Sequence, residues 1–233
     1  MRDIKKRRYA MAFILTAAIF FLGFFFGFLM DLQRTDYFQV TNEQNKLNIQ
    51  SLQLQNDLVQ VGMTEDQCQG FRFLFDKAIE ELEKNRERIE VYSQQANVAK
   101  DDFESLKRQY TISQLNFFVL SKKMEESCPG TADYVRVLYF YSNDKKCPQC
   151  ESQANVLDYF KRQLKQNILI FALDEEFEAE PTITLLKQTY NITTFPSIVV
   201  EDKPYREYVN EDTLRGIICA DLRNASEQAA CQA

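Results

Sequence analysis

Val135-Arg136-Val137-Leu138-Tyr139-Phe140-Tyr141 is followed, after a short polar connection, by Cys147-Pro148-Gln149-Cys150 and the amphipathic stretch 151–164. An apolar run of that length reads as a strand, and the 3.6-residue periodicity after the cysteines reads as a helix. Two thiols therefore stand at a helix start, where their sulfurs can meet across one turn. Backbone N–H groups and the helix macrodipole favour a thiolate at that end, and a thiolate is the species that attacks a disulfide. Pro148 suits the first helical turn, because its missing N–H would have had no partner there. A C-x-x-C pair can also be half of a zinc site. Structural zinc takes four ligands, however, and the chain has no His and no second C-x-x-C. The pattern points to redox chemistry, with no metal and no organic cofactor.

Further downstream the chain reads Tyr190-Asn191-Ile192-Thr193-Thr194-Phe195-Pro196-Ser197-Ile198-Val199-Val200. A proline that opens an apolar β-branched run is tolerated at a strand's first residue. With the C-x-x-C pair, this stretch resembles the thioredoxin superfamily over roughly residues 134–223. The resemblance implies an α/β thioredoxin-like C-terminal domain: strand 135–141, helix 148–165, strand 168–174, helix 182–190, strands 197–201 and 205–209, and helix 211–222. It also implies that Pro196 is cis and lies against the cysteine pair. Cys147 would then be the nucleophile, Cys150 the resolving thiol, and Pro148, Gln149, Phe195 and Pro196 the substrate groove.

The chain departs from that family in two places. Thioredoxin itself carries a buried acid in the first strand, where this sequence has Tyr141, and a Trp before its first cysteine, where this sequence has Lys146. Lys145 and Lys146 are expected to favour a thiolate at Cys147 by attraction, leaving Cys147 exposed and reactive and Cys150 buried.

The N-terminus bears on compartment. Residues 9–30 contain no charged side chain and are mostly Phe, Leu, Ile or Ala, and about 20 apolar residues span a bilayer as a helix. Arg2, Lys5, Lys6, Arg7 and Arg8 precede this run, opposed only by Asp3. That excess predicts a single-pass anchor with residues 1–8 in the cytoplasm and the rest outside the cell membrane. The run is long for a signal-peptide core, and no small-x-small cleavage site follows it. Gly23 and Gly27 form a G-x-x-x-G within it, a possible helix-packing face.

Net charge is −6 and no basic cluster lies beyond residue 8, which argues against nucleic acid as a partner. The six cysteines are an even number, and an oxidising compartment would tend to pair them.

The middle of the chain, residues 31–127, reads as an α-helical coiled-coil region. From 33 to 61 it is polar, with Val40, Leu47, Leu54 and Val61 recurring every seven residues and Leu58 between two of them. Gly62 interrupts, and Thr64-Glu65-Asp66-Gln67 reads as a capping box. Phe75, Leu82, Ile89, Ala96, Phe103, Tyr110 and Phe117 then recur every seven, with Phe71, Ala78, Tyr92, Ala99 and Leu106 filling the seam and Asn85 breaking it. The simplest geometry is a helical hairpin turning at Gly62, with a further break near 99–102. A parallel homodimer is the alternative.

Residues 128–133, with Cys128-Pro129-Gly130, read as a linker, and 224–233 as a tail. Cys219 with Cys231, and Cys68 with Cys128, are the structural disulfide candidates. The second pair can meet only if the long helix folds back, since an unbroken one would hold the sulfurs roughly 85 Å apart at 1.5 Å per residue. Asn191 and Asn224 head glycosylation sequons.

The sequence thus predicts a membrane-tethered extracytoplasmic thiol–disulfide oxidoreductase. Its partners would be proteins carrying thiols or disulfides, and a separate redox protein that recycles it. The competing reading is a membrane-anchored coiled-coil interaction protein whose thioredoxin-like module binds without catalysis and holds a structural Cys147–Cys150 bridge. Exposure and thiolate character of Cys147 separate the two.

Overall fold

The computed structural model describes residues 9–28, 50, 51, 54, 57, 67–93, 100–131, 133–143, 145–222 and 231. The chain divides into two compact units, Met1–Ser51 and Leu52–Ala233.

In the first unit, α1 (Tyr9–Phe28) is a 20-residue helix of mean hydropathy 2.3, long and apolar enough to cross a membrane. Its side chains, including Phe20, Phe21, Phe24 and Phe25, are exposed. A Cβ placed on Gly23 or Gly27 would meet nothing within 4 Å, so that face is uncovered. The basic segment 1–8 and residues 29 and 30 lie outside the described residues.

The second unit is α/β, built in three layers. Its elements are α2 (Gln67–Ser93), α3 (Lys100–Ser127), β1 (Val135–Tyr141), α4 (Cys150–Leu164), β2 (Ile168–Asp174), α5 (Pro181–Thr189), β3 (Ser197–Val200), β4 (Lys203–Tyr205) and α6 (Glu211–Asp221). The sheet order is β2-β1-β3-β4. β1 runs parallel to β2, with Val135 opposite Ile168 and Tyr141 opposite Asp174. β3 runs antiparallel to β1, with Ser197 opposite Phe140.

Strand alternation sorts the core onto two faces. Val135, Val137 and Tyr139 of β1 pack with Ile198 and Val200 against Leu157, Phe160 and Leu164 of α4 and Leu214 and Ile218 of α6. Leu138 and Phe140 face the other way, with Leu169, Phe171 and Leu173 of β2, under Ile183 of α5 and Leu115, Phe117 and Phe118 of α3.

The helices α2 and α3 are therefore part of the domain. α2 and α3 form an antiparallel pair closed by Phe71, Leu74, Leu120 and Met124 beside the Cys68–Cys128 disulfide. Asn85, the polar interruption of the seam, donates its amide to Ser113 Oγ across the pair at 2.7 Å. Phe117 and Phe118 meet Phe171 edge-on, with ring centroids 5.8 and 5.4 Å apart. The buried Arg136 of β1 reaches Glu125 of α3, Glu201 of the β3–β4 turn and the Ser121 carbonyl.

Several expectations change here. α2 ends at Ser93 and α3 begins at Lys100, so residues 100–102, expected within the break, are helical; residues 94–99 lie outside the described set. Val40, Leu47, Leu58, Val61, the turn at Gly62 and most of the capping box lie outside it as well, and Leu54 is exposed. Residues 128–131 do not separate two bodies: Thr131 N–H closes a turn on the Cys128 carbonyl around Gly130, whose φ of 86° suits glycine.

The strand expected at 205–209 is β4 at Lys203–Tyr205. The cause is a two-residue turn at Glu201-Asp202, both at positive φ (43° and 69°), the hairpin geometry that follows sheet twist. Neither residue is Asn or Gly, the usual signature. The conformation is held by Arg136 on Glu201 and by Lys122 on Asp202. Pro204 is tolerated because β4 is the sheet edge.

Candidate functional site

β1 delivers the chain to one end of the sheet. Its last carbonyl, on Tyr141, accepts the Glu175 N–H at 2.9 Å. Asn143 then organises the connection to the cysteines. Its carbonyl accepts the N–H groups of Lys146 and Cys147 at 3.0 and 2.9 Å. Its side-chain oxygen accepts from the Lys145 and Lys146 amides, and its amide donates to Glu176.

Cys147 and Cys150 are disulfide-bonded, Cα to Cα 5.4 Å. The helix starts later than expected. α4 begins at Cys150 with Gln149 as N-cap, so Cys147-Pro148-Gln149 is a turn leading in. The Asn143 carbonyl, by taking the Cys147 N–H, holds that turn outside the helix. Pro148 and Gln149 are exposed. The sulfurs are not: Cys147 is 1 % exposed and Cys150 5 %. The expectation of an exposed Cys147 beside a buried Cys150 therefore fails for the oxidised form, in which both are enclosed.

Cys150 is held by more than its disulfide. Its backbone carbonyl accepts the Tyr139 hydroxyl at 2.6 Å, and its Sγ accepts the Ser142 N–H at 3.5 Å. One helical turn on, the buried Gln153 pairs through both ends of its amide with the backbone of Val209.

A cleft of about 740 Å³ opens beside Cys150. Tyr139 and Tyr141 line it, and the short side chains of Ala154 and Ala172 leave it unfilled. Asp174 lies on its wall; Lys107 of α3 reaches this carboxylate, whose other oxygen accepts the Glu176 N–H. Burial, followed by the nearby Asp174, pushes the Tyr141 phenol up to about 12. Burial also raises the Tyr139 phenol. The two are neutral at ordinary pH.

Lys146 does not stand free beside Cys147. Its ammonium pairs with Glu176, and the hydrogen bond from Lys146, with that from Asn143, holds the Glu176 carboxyl below its ordinary value. The attraction expected from Lys146 is therefore largely answered by Glu176.

Phe195 and Pro196 lie at the same end of the sheet as the cysteines. β3 begins at Ser197, opposite Phe140 near the end of β1, and the Phe195–Pro196 peptide is cis. Pro196 is buried and Phe195 half-buried. The Lys187 ammonium stands 5.2 Å from the Phe195 ring centroid and pairs with Glu175 at 2.7 Å.

The other cysteines are away from this end. Cys68 is joined to Cys128 and Cys219 to Cys231, with Cα separations of 5.6 and 5.7 Å. Among the described residues no group of three or more His, Cys, Asp or Glu is placed to hold a metal ion. Sequence reasoning did not find Tyr139, Ser142, Asn143, Lys107, Asp174, Glu175, Glu176 or Lys187. Only Tyr139 left a signal, as a polar tip on the same strand face as Val135 and Val137.

No protein family matches the sequence, and no curated protein matches it. Two solved structures are similar to part of it. A malarial protein is 19% identical over 36% of this chain and 92% of its own, with a TM-score of 0.31. Thioredoxin-2, a component of the malaria parasite protein secretion machinery, is 20% identical over 35% of this chain and 77% of its own, with a TM-score of 0.29.

Proposed function

We propose that this chain is a membrane-tethered thiol–disulfide oxidoreductase whose α/β unit is thioredoxin-like, with Cys147 as nucleophile and Cys150 as resolving thiol. The observation that carries the reading is the Cys147–Cys150 disulfide at the mouth of α4, with Cys150 on the wall of an open cleft. Support also comes from the order of elements after β1 and from Phe195 and Pro196 at the same sheet end.

In the reducing direction, the Cys147 thiolate attacks one sulfur of a substrate disulfide and the other substrate sulfur leaves with the electron pair. Cys150, losing its proton to solvent, then attacks Cys147; the 147–150 bond forms and the substrate departs as a thiol. The pair ends oxidised and the substrate reduced, so a second redox protein must restore it. Exposed Pro148 and Gln149, with Phe195 and Pro196, would receive the substrate chain. α1 supplies the tether, and the basic residues before it favour an extracytoplasmic domain.

The test is disulfide exchange by the full chain in detergent. Wild type should reduce or oxidise a protein substrate catalytically, Cys147→Ser should not, and Cys150→Ser should accumulate mixed disulfides. A second reading has one observation in its favour: the 1 % exposure of Cys147 suits a structural bridge in a binding module. A pair with no exchange and a potential below roughly −300 mV, in the range of structural disulfides, would establish that reading instead.

A further inference from the structure

A chain of polar contacts crosses the site from the Cys150 sulfur to Phe195. The Ser142 N–H donates to Cys150 Sγ at 3.5 Å, and the Ser142 hydroxyl donates to Glu175 Oε1 at 3.3 Å. Glu175 Oε2 accepts Lys187 Nζ at 2.7 Å, and that ammonium lies over the Phe195 ring. The two ends are anchored in backbone: Glu175 N–H on the Tyr141 carbonyl, and Ile192 N–H on the Lys187 carbonyl at 2.8 Å, which closes the end of α5 on the way to Phe195.

We propose that Glu175 and Lys187 are positioning residues that hold the Ser142 N–H on the Cys150 sulfur and tie its placement to Phe195 in the substrate groove. The proposal rests on the reading of Cys150 as the resolving thiol. A donor aimed at the sulfur favours the thiolate over the thiol. Resolution needs that thiolate: it attacks Cys147, the intramolecular S–S bond forms, and the bond from Cys147 to the substrate breaks with the electron pair leaving on the substrate sulfur. An N–H···S contact depends on direction, and Ser142 follows the last residue of β1, where, among the described residues, its hydroxyl and the neighbouring Tyr141–Glu175 bond fix the peptide plane. The ion pair is well placed for this, with Glu175 and Lys187 side chains 15% and 22% exposed.

Other charged and titratable groups face Cys150 across the cleft: Lys107, Tyr139, Tyr141, Glu151, Asp174 and Glu176. Lys107 pairs with Asp174 and Lys146 with Glu176, and the tyrosines are neutral. Substitution at 175 or 187 leaves these pairs in place, while Glu175 also acts on the Lys146 ammonium at longer range. A staple that only joins α5 to the end of β2 would change stability on removal and leave the Cys150 thiol unchanged.

The test uses the full chain in detergent with Cys147→Ser, so that Cys150 is the only active-site thiol. Thiolate absorbance at 240 nm is followed against pH. The double variant Glu175→Gln/Lys187→Met, which removes the ion pair without changing the net charge, should lower the thiolate fraction near pH 7.5 by about three- to tenfold, tenfold being one pKa unit, and Lys187→Arg should leave it within about twofold of the parent. Ser142→Ala, which removes only the hydroxyl tie, should lower it in the same direction and serves where an ion-pair variant does not fold. An unchanged thiolate fraction in the folded variants overturns the proposal. Wild-type exchange activity is read separately: exchange with an insensitive Cys150 defeats the positioning role alone, and a sensitive Cys150 without exchange defeats the proposed function alone.

Discussion

The Tyr139 hydroxyl donates to the backbone carbonyl of Cys150 at 2.6 Å, tying the middle of β1 to the first residue of α4. Both groups are buried, so neither finds water when the bond is lost. Tyr139→Phe keeps the ring and removes the donor. The Cys150 carbonyl keeps its helical bond in α4, so the loss is that of one buried hydrogen bond, about 0.5–1.5 kcal/mol. Urea unfolding should show a lower midpoint at unchanged slope; an unmoved midpoint would mean that the tyrosine bond adds nothing to stability.

The same tyrosines set an alkaline limit. Burial pushes Tyr141 up to about 12 and raises Tyr139 too, against an unfolded value of about 10. The folded state thus favours the protonated phenols. That contribution is fully present below about pH 10 and is lost as pH rises through about 12. Absorbance at 295 nm should show a late-titrating class of tyrosines that ionises together with loss of circular dichroism. Titration of every tyrosine near pH 10 in an intact fold would refute this.

Glu176 is expected to moderate the first cysteine. Lys146 is its partner, and Glu176→Gln removes the charge that answers this ammonium. In the reduced protein, Cys147 should then react faster with iodoacetamide near pH 6, by about twofold, a small effect because the pair is solvent-screened. A slower or unchanged rate would show that Lys146 does not act on Cys147.

What was legible in the sequence followed from local rules. The bounds of β1 and β2 coincide with the apolar runs 135–141 and 168–174, because side-chain alternation and burial are short-range signals. β4 was displaced because Glu201-Asp202 adopts a turn that its own residue types do not favour; the residues that hold it, Arg136 and Lys122, lie far away in sequence. The helix periodicity at Phe75 and Phe117 was visible, but its partner was not. A seven-residue repeat reports that a helix has an apolar stripe, not whether the stripe meets another chain or a sheet. At the site, the C-x-x-C pair and the Phe195-Pro196 step were readable. The burial of Cys147 and the delivery of Lys107 from α3 to Asp174 were not, since both depend on tertiary packing.

The Cys68–Cys128 pairing closes a loop of 60 residues. In a chain-entropy treatment a loop of that length stabilises by about 4 kcal/mol, through the unfolded state. Replacing both cysteines by Ser should lower the unfolding midpoint accordingly while leaving the far-ultraviolet spectrum helical. Peptide mapping without reduction gives the direct check: Cys68 linked to Cys68 of a second chain would replace the intrachain hairpin with a parallel dimer.

The strongest consequence of the fold concerns where the domain begins. Leu138, Phe140, Leu169 and Phe171 are each at most 5 % exposed, and part of what covers them is α3 through Leu115, Phe117 and Phe118. A fragment of residues 130–233 would carry that face uncovered, a contiguous apolar surface that soluble domains rarely tolerate. It should bind hydrophobic dyes, associate and lack a cooperative transition, whereas a fragment of 64–233, which retains both helices and the Cys68–Cys128 bridge, should unfold as one unit. The contact can be weighed in the longer fragment. Phe117→Ala and Phe171→Ala should each cost about 3–5 kcal/mol, and the double variant should fall short of their sum by about 0.5–1.5 kcal/mol, the edge-on ring pair being lost only once. Strict additivity, or a 130–233 fragment that melts cooperatively at the temperature of the longer one, would mean that the helical pair is an appendage and not a wall of the domain.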